Sequence, residues 1–462
     1  MTSGSRLLVA GLLAALALQA ALWFLPPGGD PRSRLLDPVA DAREYHALSI
    51  ALAERGAFER ETMGAVRPEF FRTPGYPLLL AGLRPVFGDS VAAVLGLQLL
   101  LSLLTVLAAF RLGREVGLER RAAGLAALFL GASPNLAFHA TKAVTETSFT
   151  LLLVVCLLLL ARYRRDGGLP ALVGAGVSAG LLALVRPIAL FWPLAIAGWV
   201  AWRCLRARPR SAWLALVPVL AAGLTVAPWV ARNHRLSGRP ILSTAAERNL
   251  FLYNAATVVA SERNVTVVEA RDLMQAEARA RFGELDSTDE PGYWAKLGVI
   301  GREQLLRRPA RAALVQLAGF AANFVSPLGV SPLLAHADAE RSTEPHAMQR
   351  ALALAARGRL AAAWRLVRDV RLLPAGGFFW AWFGLAALHL VLLLALAAHG
   401  LRRGGFGWLL LPVLYFTLLT GPVGEARFRL PVEPALAVLA AAGLARARKE
   451  RGPGLPPGPA TV

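Results

Sequence analysis

Long apolar windows separated by short polar segments are the main feature of the chain. Most of them approach the length, about 17–25 residues, that a helix needs to cross the hydrocarbon core of a bilayer. The windows are residues 6–25, 89–110, 122–138, 144–161, 169–185, 187–202, 212–230, 376–398, 406–420 and 431–446. The pattern therefore predicts an all-α polytopic membrane protein with about ten transmembrane helices.

Three stretches need a separate interpretation. Residues 6–25 are long for a signal peptide and no convincing small-residue cleavage site precedes Pro26-Pro27, so we favour an uncleaved anchor. Residues 312–332 are apolar and would add an eleventh span, but we predict an interfacial or re-entrant helix. Residues 350–372 mix arginine with leucine at helical spacing, which predicts a helix lying in the headgroup plane.

The distribution of positive charge predicts the orientation. The net charge is +20, and arginine-rich segments lie at residues 111–121, 162–166, 203–210 and from 445 onward. Counted from a cytoplasmic N-terminus, all four fall inside, as the positive-inside rule requires. A spanning 312–332 would move Arg402 and Arg403 outside. The segments left to face out are 26–88, 139–143, 186, 231–375 and 421–430.

Composition narrows the class of protein further. Hydrophobic residues make up 56% of the chain and the mean hydropathy is +0.50, above the range of a soluble domain. Aromatic–basic interleaving is absent, so no nucleic-acid partner is predicted. Cys156 and Cys204 lie in or beside apolar windows without metal-ligand spacing, which predicts neither a zinc site nor a disulfide framework. A multi-pass protein of a bacterial-type inner (plasma) membrane is expected.

The windows also divide the chain into regions. Residues 1–230 form an N-terminal transmembrane module of about seven spans with the first outer loop, 26–88, inserted in it. Residues 231–375 form a small mixed outer segment with interfacial helices, and 376–446 form the C-terminal spans. The Pro/Gly-rich tail, 447–462, is predicted to be disordered and cytoplasmic.

The first outer loop predicts a helix over residues 37–56. Asp37 suits the N-cap, Pro38 suits the first helical position and Gly56 suits the stop. One face of this helix carries Asp41, Tyr45, Leu48 and Leu52. We expect the apolar stripe to hold the helix on the membrane surface with Asp41 and Tyr45 at its head. The structural alternative for Asp41 is an acid favoured by the helix dipole.

Further polar residues lie at the predicted outer ends of the spans. Each has a structural alternative, such as an interface anchor, a snorkelling lysine or a dipole-favoured acid. Guanidinium groups also match phosphate oxygens, so several arginines from separate segments could converge on one anion. The candidate substrate-binding residues, besides Tyr45, are Arg72, Tyr76, His139, Lys142, Arg186, Arg232, Arg427 and Arg429, and Glu146 is a second candidate acid.

These segments together resemble the polytopic GT-C glycosyltransferases, in particular protein O-mannosyltransferases, the aminoarabinose transferases of lipid A and bacterial family 39 proteins. The resemblance runs in order over about residues 1–446. Its motifs are Asp41-Ala-Arg-Glu-Tyr45, Arg72-Thr-Pro-Gly-Tyr-Pro77, Glu146, Leu184-Val-Arg-Pro187, Pro228-Trp-Val-Ala-Arg232-Asn233 and Arg427-Phe-Arg-Leu-Pro431.

The resemblance implies roles for individual residues. Asp41 would be the catalytic base and Glu146 a second acid near the sugar or the acceptor. Arg72, Arg427 and Arg429 would contact the carrier phosphate. The chain departs from the protein mannosyltransferases because Ala42 follows Asp41 where they have a second acid, and because it lacks a large folded insert or C-terminal domain. The acceptor is therefore left open.

The function expected is inverting transfer of a sugar from a polyprenyl-phosphate donor to a glycan, lipid or protein acceptor on the outer face of the membrane. We expect partial burial to raise the pKa of Asp41 and improve it as a base. The chemistry requires no cofactor, and no motif supports a divalent metal. The alternatives are a secondary transporter, a lipid-linked glycan polymerase or ligase, and a non-catalytic membrane scaffold.

Overall fold

The computed structural model describes residues 2–25, 30–36, 40–62, 64–207, 209–328, 354, 358–369 and 377–445. The helices are α1 Ser3–Phe24, α2 Pro31–Leu36, α3 Ala40–Arg55, α4 Gly75–Ala81, α5 Arg84–Phe87, α6 Val91–Glu115, α7 Arg120–Gly131, α8 Pro134–His139, α9 Glu146–Asp166, α10 Leu169–Val185, α11 Trp192–Ala207, α12 Leu216–Ser237, α13 Ala245–Asn249, α14 Ala256–Arg263, α15 Val267–Phe282, α16 Glu290–Leu306, α17 Pro309–Val325, α18 Leu360–Asp369, α19 Gly377–Arg402, α20 Leu410–Leu418, α21 Ala426–Arg429 and α22 Glu433–Leu444.

Shorter elements connect these helices. Turns of 3-10 helix cover Pro187–Ala189, Pro209–Ala215, Gly407–Leu409, Gly421–Val423 and Leu430–Val432, and a π-helical turn covers Leu250–Ala255. Strands β1 Glu59–Thr62 and β2 Ala65–Pro68 form an antiparallel hairpin with Glu59 opposite Pro68. In the described part of the chain this hairpin is the only sheet, so the all-α fold class is confirmed.

Six helical stretches among the described residues are long and apolar enough to cross a membrane. They are Ser3–Phe24, Val91–Glu115, Glu146–Asp166, Pro187–Arg206, Pro209–Ser237 and Gly377–Arg402. Two shorter apolar stretches, Leu169–Val185 and Gly407–Leu418, also match predicted windows. The chain is thus a polytopic helical membrane protein, while the count of about ten spans stays a prediction.

One predicted window is not a single helix. Residues 122–138 are divided between α7 and α8, because α7 ends at Gly131 and Ser133 caps a new helix by accepting a hydrogen bond from the Leu136 amide. Pro134 occupies the first turn of α8, where its missing N–H costs nothing. The break redirects the chain toward the 139–146 loop, which carries candidate site residues.

Small residues let neighbouring helices approach closely. A Cβ atom added to Gly131 of α7 would lie 2.0 Å from the carbonyl oxygen of Gly11 in α1. One added to Gly180 of α10 would lie 2.6 Å from the Thr225 Cβ in α12. Such backbone-to-backbone packing is the usual way in which membrane helices associate, because lipid offers no hydrophobic driving force between them.

The basic segments meet at one end of the bundle. Arg162 and Arg165 pair with Glu115, and Arg203 donates to the Arg164 carbonyl oxygen at 3.2 Å. Arg164 in turn donates to the Gly405 carbonyl oxygen at 3.3 Å, so the chain beside Arg402 and Arg403 lies at the same end. Helix α9 rises about 30 Å over its length, which places Glu146, its first residue, at the opposite end.

The described part of the predicted first outer loop, 26–88, packs on the protein. Helix α3 ends where Gly56, with φ of +66°, donates its amide to the Leu52 carbonyl oxygen. Tyr45 makes an edge-to-face contact with Tyr76 of α4, with ring centroids 5.3 Å apart, and Leu48 is buried. Tyr45 therefore packs on α4 and Leu48 is enclosed by protein, which contradicts the expectation that these two residues lie on the membrane surface. The predicted caps Asp37 and Pro38 lie outside the described residues.

The described residues of the predicted segment 231–375 are mainly helical. Helices α13 to α16 enclose their own apolar cluster, which includes Phe251, Met274 and Ile300. Helix α17, which overlaps the predicted interfacial stretch 312–332, packs against residues 421–429. Of the predicted headgroup helix, α18 and residues 354, 358 and 359 are described, and the tail from 446 onward falls outside the described residues.

Candidate active site

Three carboxylates and three guanidinium groups alternate in one cluster, which we call the charge ladder. Its order is Glu44, Arg72, Asp41, Arg427, Glu146 and Arg186. Arg72 donates from Nε to Glu44 at 2.7 Å and from NH2 to Asp41 at 2.6 Å. Arg427 donates from NH2 to the second Asp41 oxygen at 2.5 Å and from Nε to Glu146. Arg186 donates to the same Glu146 oxygen at 2.7 Å.

Five separate segments supply the charge ladder, each at the end of an element. Asp41 lies in the first turn of α3 and Glu146 begins α9, so both acids sit where the helix dipole favours negative charge. Arg72 precedes α4, Arg186 follows the last residue of α10, and Arg427 lies in the short helix α21. The tertiary fold thus gathers residues that are as far as 386 positions apart in sequence.

The three carboxylates of the charge ladder differ in burial, and Glu44 is the most exposed at 34%. The Asp41 side chain is 25% exposed, whereas that of Glu146 is 0% exposed. Arg72, Arg186 and Arg427 lie between these limits. Asp41 is therefore partly exposed, and we call the enclosed side of the cluster around Glu146 its floor.

The neighbours of Asp41 decide its protonation. Burial by itself would raise the pKa of this carboxyl, but the Arg427 and Arg72 guanidinium groups outweigh burial and hold the pKa well below its usual range. The expected rise in the pKa of Asp41 is therefore wrong for this state. The carboxylate is ionised but is a weak proton acceptor while both arginines contact it.

Arg72 is oriented by its surroundings. Its NH1 atom lies 3.4 Å from the Tyr45 hydroxyl, and its guanidinium carbon lies 5.0 Å from the Tyr45 ring centroid and 4.4 Å from the Phe71 ring centroid. The buried Glu69 carboxylate accepts the backbone N–H groups of Phe71 and Arg72 at 2.5 and 2.9 Å. Glu69 thus fixes the backbone from which Arg72 reaches into the charge ladder.

Gln98 holds the 142–147 segment beside the site. Its amide nitrogen lies 2.6 Å from the Lys142 carbonyl oxygen, 2.9 Å from the Val144 carbonyl oxygen and 2.7 Å from the Tyr76 hydroxyl. Its carbonyl oxygen accepts from the Thr147 hydroxyl. Gln98 thus also holds Tyr76, whose ring contacts the Tyr45 ring. The Lys142 ammonium donates to the Arg34 carbonyl oxygen in α2.

Polar atoms without hydrogen-bond partners lie at the floor of the site. Among the described residues, Glu146 Oε2, His139 Nε2 and Thr145 Oγ1 are buried and have no such partner. His139 Nδ1 lies 2.9 Å from the Asn135 carbonyl oxygen, so it donates there, and Nε2 of the neutral ring is an acceptor. Glu146 and His139 interact electrostatically. Buried polar atoms are nearly always satisfied, so this floor suits a ligand with hydrogen-bond donors.

Two predicted contacts do not join the charge ladder. Arg232 donates to the carbonyl oxygens of Glu69 and Phe58 at 2.8 and 2.7 Å and so fastens the hairpin. Arg429 is 2% exposed, pairs with Glu433 at 3.1 Å and donates to the Asn323 carbonyl oxygen at 2.5 Å. As a correction to the sequence-based expectation, both guanidinium groups are directed to structural partners.

The arrangement can bind an anion and move a proton. Guanidinium groups can stabilise negative charge that develops on a leaving phosphate, and a carboxylate beside them can accept a proton. Within the described residues, no group of three or more His, Cys, Asp or Glu side chains is placed to hold a metal ion. In the charge ladder the carboxylates are separated from each other by guanidinium groups.

Sequence patterns did not single out Glu44, Glu69 or Gln98. Glu44 lies within the Asp41–Tyr45 motif, and only its helical spacing from Asp41 could have indicated a shared partner. Glu69 lies two residues before Phe71 at the end of an exposed hairpin, which is no signal of burial. Gln98 is a polar residue inside a predicted span, and that position was a usable signal of a site or a network.

Comparison with protein families supports the resemblance to glycosyltransferases over part of the chain. Residues 71–231 match the family model described as "Dolichyl-phosphate-mannose-protein mannosyltransferase". This match confirms the resemblance to polytopic membrane glycosyltransferases over a range that includes Arg72, Glu146 and Arg186. No curated protein is significantly similar to the chain in sequence.

Solved structures that align with the chain include two of archaeal oligosaccharyltransferase and one of ArnT. An oligosaccharyltransferase of Archaeoglobus fulgidus matches with 15% identity and a TM-score of 0.49, over 93% of this chain and 48% of that one. AglB from the same organism, in complex with an inhibitory peptide and a dolichol-phosphate, matches with 15% identity and a TM-score of 0.45 (95% and 50%). ArnT from Cupriavidus metallidurans bound to undecaprenyl phosphate matches with 15% identity and a TM-score of 0.41 (95% and 77%). The chain thus spans about half the length of the archaeal proteins.

Proposed function

We propose that this chain is an inverting glycosyltransferase that moves a sugar from a polyprenyl-phosphate donor to an acceptor on the outer face of the membrane. The observation that carries the proposal is the contact of one partly exposed carboxylate, Asp41, with two guanidinium groups from segments that lie between the candidate spans. The description of the matched family, which contains a dolichyl-phosphate sugar, supports the same donor class.

The proposed reaction is a single displacement. The acceptor oxygen or nitrogen forms a bond to the anomeric carbon while the bond from that carbon to the phosphate oxygen breaks. The electron pair leaves with the polyprenyl phosphate, and Arg72 and Arg427 stabilise its charge. Asp41 takes the proton that the acceptor loses, a role that contributes about 10²–10⁴-fold in rate.

The floor of the site suits the sugar. Glu146 Oε2 and His139 Nε2 are two buried acceptors without protein partners in the described chain. Sugar hydroxyl groups can donate to both, so the sugar would extend from the phosphate at Arg72 and Arg427 toward Glu146. Lys142, Tyr45, Tyr76 and Arg186 would then shape the walls of this pocket.

The distribution of charge supports an outward-facing site. Segments 111–121, 162–166 and 203–210 contribute contacts at the end of the bundle opposite Glu146. Since positive loops favour the cytoplasm, the charge ladder would face out.

The position of the acids favours transfer over transport. A secondary transporter is expected to place its coupling residues near the middle of the membrane, on broken helices. Here Asp41, Arg72 and Arg427 lie between the candidate spans, and Glu146 is the first residue of one. A lipid-linked glycan polymerase or ligase would use the same chemistry and differs only in its acceptor.

A transfer assay tests the proposal. Wild-type protein and the Asp41→Asn variant are reconstituted in liposomes with defined radiolabelled polyprenyl-phosphate sugars and acceptor-containing membrane extract. We expect the wild type to release polyprenyl phosphate and label an acceptor, and the Asp41→Asn variant to lose at least about 100-fold of this rate.

The matched control is Asp89→Asn. Asp89 is also held by two arginines, Arg32 and Arg84, but lies outside the charge ladder. Full transfer by the Asp41→Asn variant would refute the base assignment. No consumption by the wild type of any donor in a panel of hexosyl and pentosyl polyprenyl phosphates would refute the donor class.

A further inference from the structure

The guanidinium groups that a carrier phosphate would need are already bonded to carboxylates. Arg72 uses all three of its nitrogens on Glu44, Asp41 and the Tyr45 hydroxyl. Arg427 contacts both Asp41 and Glu146. A phosphate that bridges Arg72 and Arg427 through the NH2 groups that now contact Asp41 must take the place of this carboxylate.

Asp41 is the carboxylate whose replacement opens both arginines. Glu44 is more exposed, at 34%, but it contacts Arg72 and not Arg427. Asp41 is bonded to both Arg72 and Arg427, so one displacement frees a nitrogen on each of them. Its side chain is 25% exposed and water can solvate it after release, whereas the 0% exposed Glu146 would be left as a buried unpaired charge. An uncompensated buried charge is strongly unfavourable.

We propose that the donor phosphate displaces Asp41 from Arg72 and Arg427 and that this displacement frees Asp41 to accept the proton of the acceptor. This inference rests on the proposed function and adds an order to it: the donor binds first, and the base is masked until then. The masked state protects the enzyme from activating water or an acceptor when no donor is present.

The electrostatics of the site agree with this order. In the ion-paired state Arg427 and Arg72 keep the pKa of Asp41 low despite its burial. When their charge is directed to a phosphate, the burial of Asp41 and the added anion both favour the protonated form. Among the described residues, the ion pairs of Asp41 are those with Arg72 and Arg427, and Glu44, Tyr45, Glu146 and Arg186 are the next groups along the charge ladder.

A binding experiment without turnover tests the displacement. The affinity for undecaprenyl phosphate is measured for the wild type and for Asp41→Asn in lipid nanodiscs, with undecaprenol of the same length as the uncharged reference. Since the variant has no carboxylate to displace, we expect it to bind undecaprenyl phosphate about tenfold more tightly than the wild type. Asp41→Ala gives the same comparison if the amide impairs folding.

Two further variants separate displacement from simple charge repulsion. Asp89→Asn removes one negative charge outside the charge ladder and should leave the affinity within about twofold of the wild type. In an Arg72→Gln background, where one of the two contested arginines is gone, the gain from Asp41→Asn should fall to about threefold or less.

The outcomes distinguish the two levels of the proposal. A variant that binds undecaprenyl phosphate no more tightly than the wild type overturns the displacement, and so does a gain of equal size in the Arg72→Gln background. If neither the wild type nor Asp41→Asn prefers undecaprenyl phosphate over undecaprenol, the proposed function itself fails.

Discussion

At the scale of single residues, the site depends on pairs rather than on isolated groups. Asp41 in the first turn of a helix looks like an ordinary dipole-favoured acid, and only its contacts with Arg72 and Arg427 mark it as a candidate base. Arg427 and Arg429 are two positions apart, yet the first contacts two acids of the charge ladder and the second is buried against Glu433 and α17. The direction in which a side chain points thus separates an anion site from a structural support.

Glu69 provides a test of positioning at this scale. Glu69→Ala removes the acceptor of the Phe71 and Arg72 amides, and we expect it to weaken the binding of undecaprenyl phosphate by roughly tenfold. With a transfer assay in hand, the rise should appear in the KM for the donor more than in kcat.

The controls for Glu69 are conservative. Glu69→Gln keeps an oxygen at the same position and should restore most of the affinity. Arg60→Gln removes the cation 3.0 Å from the other Glu69 oxygen, together with its longer contact to Glu290, but keeps the acceptor of the two amides, and should leave the affinity near that of the wild type. Equal losses in all three variants would show that Glu69 acts through general stability.

At the scale of elements, the position of Arg427 depends on helix α17. A Cβ atom added to Gly319 would lie 1.7 Å from the Gly421 carbonyl oxygen, and the Glu425 amide donates to the Asn323 side chain at 3.0 Å. Arg429 donates to the carbonyl oxygens of Asn323 and Ser326 at the end of α17. Helix α17 is therefore the support on which the Arg427 segment rests.

Gly319→Ala tests this support. The methyl group must push residues 421–424 away, and such overpacking typically costs about 1–3 kcal/mol of stability. Because the displacement would carry Arg427 with it, we expect transfer to fall by about 10–100-fold. Gly384→Ala in α19 is the control, since nothing lies within 4 Å of its added Cβ atom. Undiminished transfer by Gly319→Ala would contradict this dependence.

At the scale of the whole molecule, the two ends of the bundle carry different sets of charged residues. One end holds the contacts of Arg162, Arg164 and Arg203, and the other holds the charge ladder. The length of α9 separates them by about 30 Å, the thickness of a hydrocarbon core.

Cysteine labelling tests the proposed orientation. Ala47→Cys lies on the exposed face of α3, and Arg165→Cys lies at the basic end. A membrane-impermeant maleimide should label Ala47→Cys in intact cells and Arg165→Cys only after permeabilisation. The two native cysteines are buried and give little background. The reverse pattern would place the site in the cytoplasm.

The sequence by itself determined the elements and their likeness to a family. Apolar windows of bilayer length specify membrane helices, because an unpaired backbone group in lipid is too unfavourable for other local structures. The windows at 6–25, 89–110 and 376–398 coincide with long apolar helices, and the all-α class follows from them. The resemblance over 71–231 also followed from local motifs, since each is contained within a few residues.

Only the tertiary structure decided which polar residues meet. Asp41 and Arg427 are 386 positions apart, and no local pattern encodes a contact at that separation. The burial of Arg429, the direction of Arg232 and the low pKa of Asp41 likewise depend on neighbours from distant segments. Electrostatic interactions depend on distance and on solvent exposure, and both are set only when the helices have packed.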